Sequence, residues 1–279
     1  IINGEAEEWI TLELFSSNLL EDNPPEMHVT QPTTEPIYGT DADGIGIAGI
    51  ASDNSRIMRI GWEDDRGDSG LATINGDWEI AAVPLVDGEN VITVTAWDSC
   101  GNTTTCVLTV YRISCTSASP SLCHEGEILE GVQLRGSGFP EGALVELSHN
   151  EETVAATNVQ VSSGGAMLAF DVDLSGSGAR SWDVVIRHPS GVELARLPAG
   201  FRTIPLAVAG IQQTAGSGVA LSWTSIADRS YEVWVVSRMN AEWELADSVP
   251  SAGEVTGWED PYARDISGKF YRISPVPSR

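Results

Sequence analysis

Lysine is nearly missing from this chain: Lys269 stands alone beside fourteen arginines. Those fifteen cations face forty carboxylates, for a formal charge of -25. Such a surface repels a nucleic-acid duplex and an anionic membrane, so neither is expected as a partner. No apolar run approaches the roughly 18 residues needed to cross a bilayer, so no membrane insertion is expected. No leader pattern opens the chain, which begins at Ile1 rather than Met and is expected to be a processed or excised segment. Histidine is sparse and scattered, at His28, His124, His149 and His188. There is no Gly-x-Ser-x-Gly turn, no phosphate-cradling glycine loop and no histidine-rich metal motif, so no catalytic residue is expected. Convincing helical periodicity beyond two turns is also lacking.

What is present is short apolar runs alternating at period two, each ended by Gly, Pro, Asn, Asp or Ser. Such runs spaced by turn signals predict an all-β chain of tandem immunoglobulin-like sandwiches. Trp9–Phe15 reads as one strand, followed by the polar link Glu21–Pro25. It is expected to be the last strand of a preceding domain, with an added edge strand on the next domain, or on another chain, as alternatives. Residues 1–23 thus form a remnant and linker, followed by domains at 24–112, 113–205 and 206–279. Within them, strands are expected at Ile45–Ile50, Ile57–Trp62, Ala72–Ile74, Asn90–Trp97, Met167–Asp171, Ser181–Arg187 and Tyr231–Val236, among others. Trp78, Trp182 and Trp223 are expected in cores. The joints Tyr111–Ser114 and Thr203–Leu206 leave little slack. Negative charge concentrates early: residues 1–112 hold twenty acidic and four basic residues.

Three resemblances follow from particular residues. Ile47–Asp53, Trp78 and Val83–Asp98, with Gly101-Asn102, resemble bacterial Ig-like modules found beside glycosidases and in surface proteins. Val132–Phe139, Gly142–Val145 and Trp182–Ile186 resemble an IPT/TIG domain. Leu221–Trp223, Tyr231–Val233, Trp243 and Phe270–Ile273 are similar to fibronectin type III-like domains that close secreted bacterial proteins. These resemblances imply spacer, presentation or adhesion work.

Cys100, Cys106, Cys115 and Cys123 cluster closely enough to suggest local disulfides, 100–106 and 115–123, and hence an oxidising compartment. Zinc is the competing reading, but the gaps within each pair exceed those usual in tetrahedral cysteine sites. Calcium prefers clustered hard oxygens, and Asp41, Asp43 and Asp53 are its candidate ligands. Arg66-Gly67-Asp68 reads as a polar hairpin loop. Trp62, Trp97, Trp234 and Trp258 are candidate platforms for a sugar face. Hydrolysis of a glycoside needs two acids about 5–9 Å apart around a cleft, and serial sandwiches offer no obvious one. The expected function is therefore a non-catalytic spacer or adhesion segment of a larger secreted or cell-surface protein. Its partners would be neighbouring domains. Polysaccharide binding, or self-assembly into a filament or surface layer, are the alternatives.

Overall fold

The computed structural model describes residues 22–214, 218–238, 240–260 and 268–276. The candidate strand Trp9–Phe15 lies outside them. Every regular element among the described residues is a β-strand, and the chain is all-β, built as tandem immunoglobulin-like sandwiches. It divides into two compact units: residues 1–36, 44–83 and 91–108, and residues 37–43, 84–90 and 109–279.

The first nine strands are β1 (Glu26–Gln31), β2 (Ile37–Thr40), β3 (Gly44–Ser52), β4 (Ile57–Asp64), β5 (Ser69–Leu71), β6 (Thr73–Asn75), β7 (Asp77–Pro84), β8 (Gly88–Asp98) and β9 (Thr103–Arg112). They form one sheet ordered β1-β3-β7-β6 and another ordered β2-β9-β8-β4-β5. The run expected at Ala72–Ile74 is β6 displaced by one residue: Thr73 and Ile74 lie in β6, which pairs with β7, while Ala72 lies between β5 and β6 and donates its N–H to Ile60 O. In the first unit, alternation works as read: Ile92, Val94 and Ala96 are buried on β8, and Ile45, Ile47, Trp78 and Ile80 are buried in the other sheet. Gly49 is required here, because a Cβ would sit 2.1 Å from His28 O and against the Trp78 ring.

The next nine are β10 (Ser114–Ser119), β11 (Leu122–His124), β12 (Ile128–Ser137), β13 (Leu144–His149), β14 (Glu152–Ala155), β15 (Thr157–Val161), β16 (Met167–Asp173), β17 (Ser181–Arg187) and β18 (Glu193–Ile204). Their sheets run β10-β12-β16-β15 and β11-β18-β17-β13-β14, which repeats the strand order of the first nine. In both sets the opening strand ends at a cis X–Pro bond, Gln31–Pro32 or Ser119–Pro120. The chain then changes sheets and runs parallel to the set's last strand. Between the second pair of sheets lies one continuous core, including Leu134, Leu147, Phe170, Trp182 and Phe201.

The final six are β19 (Val208–Gln213), β20 (Val219–Thr224), β21 (Ser230–Val236), β22 (Glu244–Pro250), β23 (Val255–Asp260) and β24 (Phe270–Pro275). They form two three-stranded sheets, β19-β20-β23 and β22-β21-β24. Among the described residues, Leu221, Trp223, Tyr231 and Val233 make up the buried cluster between them.

Candidate functional site

The residues picked for chemistry do not converge. Asp43 pairs with Arg112, whose other terminal nitrogen reaches Asp87 at 2.8 Å. Asp53 turns back on its own loop, accepting from the Ser55 N–H at 2.7 Å. Asp41 is exposed. Among the described residues no group of three or more His, Cys, Asp or Glu is placed to hold a metal ion, so the candidate calcium ligands are not gathered into a set. The physical reason is that the nearest cation for Asp43 is already covalently part of the chain.

The four cysteines are free thiols, which corrects the expected 100–106 and 115–123 disulfides. Closeness in sequence led to that expectation, but side-chain direction decides it. Cys106 Sγ points to Met27 O at 3.3 Å. Cys115 lies on β10 and Cys123 on β11, strands of opposite sheets. Burial pushes both thiols up to about 12, with Glu127 adding to the effect at Cys123.

The four tryptophans do not make one platform. In the first unit, Trp62 faces Val94 in register and so points inward, where Gly70 gives it room. Trp97 pairs with Arg59 on the opposite face, and the Arg59 guanidinium covers its ring at 4.0 Å. In the second unit, Trp258 packs edge-on to Tyr271 at 6.1 Å beside the core and donates Nε1–H to Asp247. Trp234 faces outward beside Arg272, its register partner, which lies 5.4 Å from the Trp234 ring and 5.1 Å from the Trp243 ring. The Arg66-Gly67-Asp68 loop folds on Asp64, whose carboxylate accepts the N–H groups of Arg66 and Asp68 at 2.9 Å.

Two side-chain clusters in the second unit escaped sequence reasoning. At Tyr111–Ser114, Arg112 joins Asp43 and Asp87, while the Tyr111 hydroxyl donates to Glu89 and its ring meets His188. Gly39 and Gly138 permit this closeness: a Cβ on Gly39 would lie 2.1 Å from Leu194 O, and one on Gly138 2.1 Å from Arg112 O. At the following joint, His124 on β11 is 1% exposed and its Nε2 lies 2.8 Å from the hydroxyl of fully buried Tyr231 on β21. That hydroxyl also accepts the Ile226 N–H at 2.7 Å. Beside it, Arg229 and Glu127 pair at 2.7 Å with side chains only 13% and 12% exposed, and Glu127 accepts the His124 N–H. Burial holds His124 below the ordinary imidazole value, against the opposing charge of Glu127. No spacing motif marks such a cluster; only the inward parity of Tyr231 hinted at it.

No protein-family model matches the chain. It is 25% identical over 234 residues to the PII-type proteinase of Lacticaseibacillus paracasei, a match covering 78% of this chain and 12% of that protein. The PI-type proteinase of Lactococcus lactis subsp. cremoris matches over the same shares at the same identity. The chain thus spans about an eighth of the length of these relatives, at 12%. Among solved structures, the I9–I11 tandem of titin aligns with a TM-score of 0.31 and 8% identity, over 91% of this chain and 95% of that one.

Proposed function

We propose that this chain is a non-catalytic accessory segment of a larger secreted or surface protein, where it holds neighbouring domains in fixed relative orientation. The observation that carries the reading is the buried joint of His124, Tyr231, Glu127 and Arg229. A polar network removed from water, here paired through His124 Nε2, the Tyr231 hydroxyl and the Arg229–Glu127 ion pair, is directional, so it sets orientation as well as adhesion. The relatives support it from another side, since the matched stretch is a small part of a long proteinase. In this reading the module joints fall near residues 24, 113 and 206, and the second and third modules are of IPT/TIG-like and fibronectin type III-like kind. Residual dipolar couplings measured over β10–β18 and over β19–β24 test it. One shared alignment tensor is expected; two independent tensors would sink the proposal.

Polysaccharide binding is the second reading, favoured by Trp234 and Trp243 bracketing Arg272 on one outward sheet face. Its test is a glycan array with wild-type chain and W234A. Saturable binding lost in the variant supports it, and no binding by wild type removes it.

A further inference from the structure

Among the described residues, the third set has three strands in each sheet, fewer than either sheet of the first two sets. In the first two sets, the strand entering the sheet centre is flanked by the last strand: β8 lies between β9 and β4, and β17 between β18 and β13. The corresponding strand of the third set is β24, paired with β21. Among the described residues no strand lies on its other side. The opposite sheet likewise ends at β19.

Between these two edges the core opens into a cleft of about 320 Å³ lined by Leu206, Val208, Ile211, Trp223, Phe270 and Ile273. Val208 is 55% exposed, Ile211 69% and Phe270 43%. Tyr271 and Ile273 take the inward parity of β24 yet are only partly buried. An open edge beside unburied apolar side chains is a template for another strand.

We propose that this cleft takes the segment Trp9–Phe15 of a second copy of the chain, added as a strand along β24. The segment has the needed pattern: Ile10, Leu12 and Leu14 share one side at period two and would enter the cleft. Its seven residues match the six of β24 in length. Glu13 falls on the other side, where β24 presents Arg272, so the charges agree. The segment precedes β1 and the cleft closes the last strand set, so each copy carries a donor at one end of its sequence and an acceptor at the other. Contacts of this heterologous kind propagate into chains or rings. The inference goes beyond the orientation-holding role and does not depend on it.

The test is sedimentation velocity of the full chain over a wide concentration range, with L12D and I211D. Wild type is expected to associate beyond a dimer as concentration rises, and each variant alone to stay monomeric. An equimolar mixture of the two is expected to form a 1:1 heterodimer and stop, because only one donor and one cleft remain intact. A synthetic peptide of residues 8–16 is expected to dissolve wild-type assemblies, and its L12D version to leave them intact. Ile211 is largely exposed, so aspartate there is tolerated; retained hydrogen-exchange protection in β20 and β21 checks this. A monomeric wild type overturns the proposal, as does association that survives both variants. A monomeric wild type whose β24 amides lose protection in L12D overturns it in favour of insertion within one chain.

Discussion

The second and third strand sets share one alternation of buried and exposed residues yet close differently. Among the described residues, twenty buried apolar residues, Tyr111 of β9 included, form one cluster around β10–β18, whereas four form that of β19–β24. In the second set, five- and four-stranded sheets cover each other's margins. In the third, three described strands face three, and inward-pointing Tyr271 and Ile273 reach the margin half exposed. Period-two burial therefore specifies which face of a strand is apolar and leaves open whether that face is covered. The third set draws part of its order from the joint at Tyr231, where it rests on β11.

Deleting the central indole of each core should separate the two most strongly. Truncation of a buried Trp to Ala typically costs about 3–5 kcal/mol. Trp182 is fully buried within the twenty-residue cluster, so W182A should lower the melting temperature while β10–β18 stay folded. Trp223 is one of the four buried residues of the smaller cluster, so W223A should melt β19–β24 outright. Hydrogen exchange read strand by strand distinguishes these outcomes. Equal loss of protection in the two variants would erase the contrast.

Y231F should come next. The hydroxyl serves His124 Nε2 and the Ile226 N–H, both buried, and leaving such groups unpaired costs about 1–3 kcal/mol. The loss should appear in β19–β24 first. In calorimetry, a single transition is expected to split into two, the third set unfolding at the lower temperature. E127A, which strands Arg229 at the same joint, should act in the same direction.

What was legible before the structure follows from the same distinction. Faces were readable: Trp78, Trp182 and Trp223 are core residues, as expected. Edges and joints were not. The chain leaves one sheet at Leu71 and enters the other at Thr73, a crossing that no local pattern records. The disulfide expectation failed because closeness in sequence does not say which thiol lies opposite. Trp62 and Trp97 do not share a face because they alternate across one sheet, and Arg59 covers the outward ring. His124 and Tyr231 are 107 residues apart, and their meeting belongs to tertiary packing alone.

Acidification should act on the joint more gently. An unfolded imidazole titrates near its ordinary value of about 6.5, and burial holds folded His124 below that. The unfolded chain then binds the extra proton first, so stability is whole above about pH 6.5 and declines as pH falls toward the folded value. Glu127 opposes the downward shift and Arg229 reinforces it, which limits the effect. Melting curves of the β19–β24 transition should show this slope, and H124Q should flatten it. Asp171, Asp173 and Asp183, each held below the usual carboxylate range by hydrogen bonds, lose their contribution only in a more acidic window. A slope unchanged in H124Q would assign the dependence to other groups.

The smallest effect carries no stability change and reads the joint directly. Cys123 is fully buried on β11 beside Glu127, and its thiol is pushed up to about 12 by burial. At neutral pH it holds almost no thiolate, the form that reacts. Exposed Cys100 should label quickly with a maleimide, Cys106 and Cys115 slowly, and Cys123 only when the joint opens. All four should label in denaturant without reductant, as free thiols must. In Y231F, Cys123 should gain reactivity while Cys115 keeps its rate, because Cys123 precedes His124 on β11, which Tyr231 holds, whereas Cys115 lies on β10. Faster labelling of both would mean that the variant loosens the second set itself, and the two regions would then open as one.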